Sequence, residues 1–324
     1  MGGTDQYNQS KQRTSFITDQ NKTKTKMSNS VSVEKQSLPK SLFKLMRPKQ
    51  WIKNGFVFAP LLFVGGLFDI KLFTLAFCGA VLFSLAASAV YILNDIVDRE
   101  KDSKHPIKCK RPIASGAVSI HTALILLLAL VISVFAASIY LDISFTAVLA
   151  AYFCFNILYS YVLKHIAIVD VISVATMYVF RVVAGAVIIH CSTISPWIIV
   201  CTFFISVLIA VQKRKGEIAS MGNGNVEGRS VLKNYTEPML RDMSVTLGAV
   251  TITAYCLYTF QSETSPYMIL TIPFVIFGLL RYQMLTDSGN KGETPEEIAI
   301  HDKPMIIDLG LWILFCIVII YIIR

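Results

Sequence analysis

The stretch Asn94-Asp95-Ile96-Val97-Asp98-Arg99-Glu100-Lys101-Asp102 concentrates more chemistry than any other part of the chain, and it follows directly on the uncharged run 72–93. On a helix advancing about 100° per residue, Tyr91, Asn94, Asp95, Asp98 and Asp102 fall within a sector of roughly 100°, so one face presents stacked carboxylates. Like charges three and four residues apart repel, and the arrangement is costly unless a cation sits among them. Hard oxygen ligands meeting a phosphate-bearing substrate suit Mg²⁺, which prefers a few carboxylates plus substrate oxygens to a closed protein cage. Metal ligands are therefore expected at Asn94, Asp95, Asp98 and Asp102. The plain alternative is a solvated, charged helix end; the abrupt junction of apolar helix, acids and then bases favours a site.

Those bases are Lys104, His105, Lys108, Lys110 and Arg111, with Pro106 and Pro112 stiffening the loop. Arg and Lys beside metal-binding carboxylates are what a diphosphate or phosphate ester requires, although topology and attraction to anionic lipid account for part of such a run. Arg181 and Asp170 share one apolar segment, eleven residues or about 16 Å apart on a helix. A guanidinium at that depth faces a polar cavity or pairs with another helix, so Arg181 is a candidate ligand-binding residue. Lys164 has a weaker claim, because a Lys at a helix end also snorkels. In Gln212-Lys213-Arg214-Lys215-Gly216-Glu217 the Lys213/Glu217 spacing allows an ion pair. The three cations of that run could otherwise hold a lipid phosphate at the headgroup level, and both readings stay open.

The elements that must position these residues are membrane helices. The chain has 324 residues, 54% hydrophobic and 16% charged, with a mean hydropathy of +0.58, where a soluble chain carries about 25% charged residues. Nine segments are expected, near 51–68, 71–93, 119–141, 143–163, 166–190, 194–212, 243–261, 264–281 and 305–323, in an all-α polytopic bundle. Strand periodicity is absent. The net charge of +9 reports topology rather than a nucleic-acid partner: Lys and Arg crowd the N-terminal region through Lys53 and the loops at 94–118 and 213–242. The positive-inside rule then puts the N-terminus and the acidic motif on the cytoplasmic side and Arg324 outside. The seven Cys show no CxxC and no metal spacing. Residues 1–40 are polar, lack the apolar core of a signal peptide and are expected to be a disordered cytoplasmic tail, followed by a single transmembrane catalytic domain over 41–324.

At these residues the chain resembles the UbiA superfamily of intramembrane prenyltransferases, over nearly its whole length beyond residue 40. Asn94-Asp95-x-x-Asp98-x-x-x-Asp102 is similar to the first Asp-rich motif of that superfamily, and Tyr159-Ser160-x-x-Leu163-Lys164 with Asp170 to a second helix-loop region. The resemblance implies a helical bundle in a bacterial-type plasma (inner) membrane, with its site facing the cytoplasm. An ordinary member carries a second Asp-rich motif after segment six, for the diphosphate of a prenyl donor; here that place is Lys213-Arg214-Lys215-Gly216-Glu217. That departure, with Arg47-Pro48-x-Gln50-Trp51-x-Lys53-Asn54, Arg111-Pro112-Ile113-Ala114-Ser115-Gly116, Arg181-Val182-Val183-Ala184-Gly185-Ala186 and Arg229-Ser230-Val231-Leu232-x-x-Tyr235, resembles a phosphoribosyl-transferring branch of the superfamily. The resemblance implies 5-phosphoribosyl-1-diphosphate as donor, a polyprenyl monophosphate as acceptor and Mg²⁺ as cofactor. Asp95, Asp98 and Asp102 are then the catalytic carboxylates. Lys53, Tyr91, Lys108, Lys164 and Arg181 would bind the donor, and Lys213, Arg214 and Lys215 the acceptor phosphate. The rival readings are an aromatic prenyltransferase, which wants the missing second motif, and a transporter, which leaves the 94–102 face and both basic loops without a role.

Overall fold

The computed structural model describes residues 37–105, 108–191, 194–221, 230–261, 265–287 and 301–323. In lipid every apolar run must satisfy its own backbone, so these runs fold as helices. A short helix α1 (Leu38–Leu45) and a 3-10 segment Pro48–Phe58 lead into α2 (Ala59–Val64). The long α3 (Ile70–Val97) is continued after one residue by α4 (Arg99–Lys104). There follow α5 (Ile120–Leu141), α6 (Ile143–Tyr161), α7 (Val169–Ile188) and α8 (Pro196–Met221). The last are α9 (Glu237–Phe260), α10 (Ile272–Asp287) and α11 (Lys303–Val318). Asp69, Ser119, Asp142, Thr236 and Asp302 cap α3, α5, α6, α9 and α11 through their side chains, satisfying amide donors that the helix itself leaves open. No strand occurs among the described residues. Eight helices there are long and apolar enough to cross a membrane, and the chain is a multi-pass integral membrane protein.

The expected segment 51–68 is not among those eight. Pro48 and Pro60 remove backbone donors, and the chain takes 3-10 turns over Pro48–Phe58 before α2. The 3-10 rise of about 2.0 Å per residue lengthens it, so 3-10 segment and α2 together reach about 31 Å, comparable to a hydrocarbon core of about 30 Å. The segment runs antiparallel to α3: Trp51 Nε1 donates to Ser88 Oγ at 3.0 Å and Asn54 Nδ2 to Ser84 Oγ at 2.9 Å. At its far end the Leu67 amide donates to Tyr321 Oη, at the end of the chain's last helix. It thus lies along α3 as an irregular segment, with the Asn54 and Val57 side chains buried against its neighbours and its exposed backbone groups partly satisfied by its own 3-10 turns.

Ion pairs and hydrogen bonds at the two ends show that successive helices alternate in direction. At the end carrying the acidic motif, Lys164 meets Asp98, Arg214 meets Asp170, Lys215 meets Asp287 and Arg281 meets Asp302. At the opposite end His190 lies 3.8 Å from Asp142, and Trp197 Nε1 donates to Gln261 Oε1.

The main apolar cluster joins Val57, Phe83, Phe145, Tyr152, Met177 and Ile188, from the 3-10 segment, α3, α6 and α7. Gly185 is where α7 lets the 3-10 segment in: a β-carbon there would collide with the Val57 carbonyl. Gly185→Val is therefore expected to destabilise the bundle by about 1–3 kcal/mol, the usual cost of overpacking, and to lower the melting temperature in detergent. An unchanged melting temperature would show that the segment is not seated on α7.

Candidate active site

The acidic face is assembled by packing around α3. Leu45, Ala89, Ile92, Ile113, Val118 and Leu127 form one buried apolar cluster. Ala89 and Ile92 are the α3 turn before Asp95, Leu45 delivers the chain to Arg47, and Ile113 with Val118 pins the loop that begins at Arg111. Gly116, at φ 76, permits the turn that closes this loop, and the Val118 amide donates back to the Pro112 carbonyl at 3.0 Å.

Burying these apolar residues brings two arginines over the carboxylates. Arg47 Nη2 and Arg111 Nη1 both donate to Asp95 Oδ1, at 2.5 and 3.0 Å. Arg111 Nη1 also donates to Asp102 Oδ2 at 2.5 Å, so one guanidinium bridges residues seven apart on the helical path. Asp95 and Asp102 are buried, 2% and 4% exposed. The backbone bonds Asp98 N to Asn94 O and Asp102 N to Asp98 O carry the helical register through the α3–α4 junction, so Asn94, Asp98 and Asp102 keep the four-residue spacing that stacks them. Asp98 differs from Asp95 and Asp102: its side chain is 29% exposed, and Lys164 Nζ stands 3.6 Å away. The guanidinium of Arg47 also lies 5.0 Å from the Tyr91 ring centroid, which places Tyr91 directly beneath this cluster. Lys108 is half-buried on a 3-10 turn, Lys108–Lys110, with its amide donating to His105 Nδ1 at 3.3 Å. Burial pushes the His105 imidazole below its ordinary value, with Lys108 and Arg111 adding to that and Asp102 opposing it, so the charge of this loop at neutral pH comes from its Lys and Arg side chains.

The structure brings together Tyr91, Asp95, Asp98, Asp102 and Lys164, but it holds Arg181 apart. That guanidinium is 4% exposed. Its Nε donates to Asn54 Oδ1 at 2.8 Å, Nη1 to the Met177 carbonyl at 2.5 Å and Nη2 to Tyr152 Oη at 3.4 Å, while Phe83, Tyr152 and Tyr178 surround it at 5.0–5.4 Å. Phe83 precedes Asp95 by twelve residues, about 18 Å along α3, so Arg181 lies deep under the acidic cluster. Lys53 is half-buried beside Asn54 on the 3-10 segment.

The cations of 213–215 diverge, as successive residues on a helix must. Arg214 is buried at 2% exposure. It donates through Nε to Asp170 Oδ2 at 2.8 Å and through Nη1 to Glu217 Oε2 at 2.6 Å. Lys215 Nζ pairs with Asp287 Oδ1 at 2.6 Å. Lys213 is half-buried on the same turn of α8. Sequence reasoning left Asp170 without a partner and did not foresee the pairing of Arg47 and Arg111 with the acids. The one available signal was that each acid needs a cation and that two Arg-Pro steps flank the motif.

Whether these side chains fit Mg²⁺ turns on donor type and number. All the acids offer hard oxygens, yet among the described residues no three His, Cys, Asp or Glu side chains are arranged to enclose a metal. Mg²⁺ is commonly held by one or two carboxylates, with substrate phosphates and waters completing an octahedron. Half-buried Asp98, flanked by Asn94 and Asp102, suits that substrate-borne mode.

A bundle of alternating membrane helices with a carboxylate motif and a basic loop gathered at one end defines an intramembrane transferase scaffold, and the chain belongs to the UbiA prenyltransferase family, whose model matches residues 55–301. It is similar to decaprenyl-phosphate phosphoribosyltransferase of Mycobacterium tuberculosis, 32% identical over 86% of this chain and 93% of that one. A relative with the same description from Mycolicibacterium smegmatis is 33% identical over 86% and 92%. Among solved structures, a UbiA homolog from Archaeoglobus fulgidus bound to GPP and Mg²⁺ superposes with a TM-score of 0.66 at 18% identity, covering 87% of this chain and 100% of that one.

Proposed function

We propose that the chain transfers the 5-phosphoribosyl group of 5-phosphoribosyl-1-diphosphate to a polyprenyl monophosphate of decaprenyl type, releasing diphosphate. The observation that carries this reading is the asymmetry of the site. The end of α3 and α4 offers carboxylates for one diphosphate, whereas the corresponding end of α8 carries the basic run 213–215, in which Arg214 is held by Asp170 and Glu217, Lys215 by Asp287, and Lys213 is the half-buried cation assigned to the acceptor. One acidic site suffices for one diphosphate donor, and a lipid monophosphate needs only cations. The similarity to phosphoribosyltransferases over most of the chain supports the same donor and acceptor.

Asp98, with Asn94 and the oxygens of Asp95 and Asp102 that the arginines leave open, would hold Mg²⁺. When bound, the ion supplies charge neutralisation at the diphosphate. Lys164, Lys108, Lys53 and Tyr91 take the donor's phosphates and sugar, and Lys164 balances charge on the diphosphate as the C1–O bond to it breaks. Arg181, set deeper, fixes Asn54 and the aromatic floor under the donor. The acceptor phosphate, held beside Lys213, places an anionic oxygen on the opposite face of C1. That oxygen forms the new bond, and diphosphate leaves with the electron pair of the old one. Inversion at C1 follows, and no general base is needed because a phosphate monoester is already anionic near neutral pH. The cation-rich acidic end and the N-terminus belong on the cytoplasmic side of a bacterial-type plasma membrane, with the C-terminus outside.

Purified chain given labelled 5-phosphoribosyl-1-diphosphate and a polyprenyl phosphate is expected to form phosphoribosylated lipid. Geranyl or farnesyl diphosphate with 4-hydroxybenzoate is expected to give no product, because the carboxylates described at the α8 end, Asp170, Glu217 and Asp287, are each paired with a cation rather than gathered to carry the ions of a prenyl diphosphate. Prenylated aromatic product without phosphoribosylated lipid would instead establish an aromatic prenyltransferase.

A further inference from the structure

One motif has no part in this chemistry. Val231, Leu232 and Tyr235, from the 3-10 turn Ser230–Asn234 and the residue after it, are all buried, and Val231 and Tyr235 pack with Val171, Val207 and Val211 of α7 and α8. The Tyr235 hydroxyl reaches out of that cluster to two groups. It accepts from the Ile168 amide at 2.6 Å and donates to Asp170 Oδ1 at 2.6 Å, while Arg214 Nε holds the other oxygen of Asp170 at 2.8 Å. Ile168 has φ 68, a conformation that a β-branched side chain resists and that persists only when its surroundings enforce it. It is the residue that turns the chain from the Leu163–His165 turn into α7. That short turn carries Lys164, which faces Asp98 at 3.6 Å.

We propose that Tyr235 is a positioning residue: its hydroxyl clamps the strained Ile168 turn to Asp170 and thereby fixes Lys164 against Asp98, so that the loop after α8 sets the geometry of the donor-phosphate site. The clamp runs one way in space. Tyr235 is fastened by its buried ring and Asp170 by Arg214, which leaves Ile168 as the member that moves when the hydroxyl is lost. The role assigned to Lys164 rests on the proposed phosphoribosyl transfer; the clamp itself does not.

The test uses the full chain in lipid nanodiscs. Tyr235→Phe keeps the ring and removes only the clamp. Amide hydrogen exchange over 163–170 is expected to accelerate at least about tenfold in this variant, a readout that holds whatever reaction the chain performs. In the transfer assay the donor KM is expected to rise about tenfold, equivalent to about 1.4 kcal/mol, with the acceptor KM unchanged. Lys164→Ala is expected to add little to Tyr235→Phe, because both changes remove the same interaction. Ile168→Gly, which adopts a positive φ without strain, is expected to restore much of the donor KM in the Tyr235→Phe background, and it gives a relaxed background should the single variant fold poorly. Unchanged exchange over 163–170 would overturn the clamp. Accelerated exchange with an unchanged donor KM, or full additivity with Lys164→Ala, would overturn its link to Lys164. Absence of phosphoribosyl transfer by the wild-type chain would refute the reaction and leave the exchange result standing.

Discussion

Asp98→Ala is expected to lower phosphoribosyl transfer by at least about 10³-fold, some 4 kcal/mol of transition-state stabilisation, while leaving the melting temperature within a degree or two of wild type. The two halves of that expectation come from the same geometry. Asp98 is only half-buried, and its cation partner Lys164, itself partly exposed, stands 3.6 Å away, so its removal strands no fully buried charge. Asp95 gives the contrast: it is buried, and one of its oxygens receives both Arg47 and Arg111. Asp95→Ala should therefore lose activity and stability together, because two guanidiniums lose their shared acceptor. Excess EDTA should silence the wild-type enzyme as completely as Asp98→Ala does. Full turnover in EDTA would remove the divalent ion from the reaction, and an Asp98→Ala enzyme of near-normal rate would move the donor site away from this face.

How far the chain could be read in advance depended on whether a feature is local. The acidic face was legible because four-residue spacing on a helix is a property of the sequence itself, and the backbone bonds through Asp98 preserve that spacing across the α3–α4 junction. The eight regular membrane helices were legible for a similar reason, since apolar length alone demands them. The expected segment 51–68 is not among those eight: hydropathy does not sense that the chain takes 3-10 turns over Pro48–Phe58 before α2. Partners far apart in sequence were beyond reach. Arg47 meets Asp95 across 48 residues and Arg214 meets Asp170 across 44, and no periodicity links such pairs. The run 213–215 invited a single electrostatic role, yet three consecutive helical residues point about 100° apart. One of them therefore had to turn into the bundle, and it is Arg214.

That inward turn yields the second large effect, which is one of stability. Asp170 and Arg214 are essentially without exposure, and the guanidinium is further engaged by Glu217. Removing one member of such a pair leaves an uncompensated charge in a low-dielectric interior, at a typical cost of about 3–5 kcal/mol. Arg214→Ala is thus expected to reduce the yield of folded protein sharply and to lower the melting temperature of what remains. Asp170→Asn with Arg214→Met should recover most of the loss, because replacing both partners by neutral groups strands no buried charge; Glu217, whose side chain is 29% exposed, keeps contact with water. Lys213→Ala, in contrast, should leave the melting temperature near wild type and raise the acceptor KM, consistent with a cation near the lipid phosphate. The decisive comparison is activity per folded molecule. If Arg214→Ala kept wild-type stability and lost only acceptor affinity, its guanidinium would face the lipid phosphate in solution, and Asp170 would have to find its counter-charge elsewhere. A melting temperature that falls with Arg214→Ala and returns in the double variant would instead fix the pair as the bolt between α7 and α8, against which the Ile168 turn and Lys164 are set.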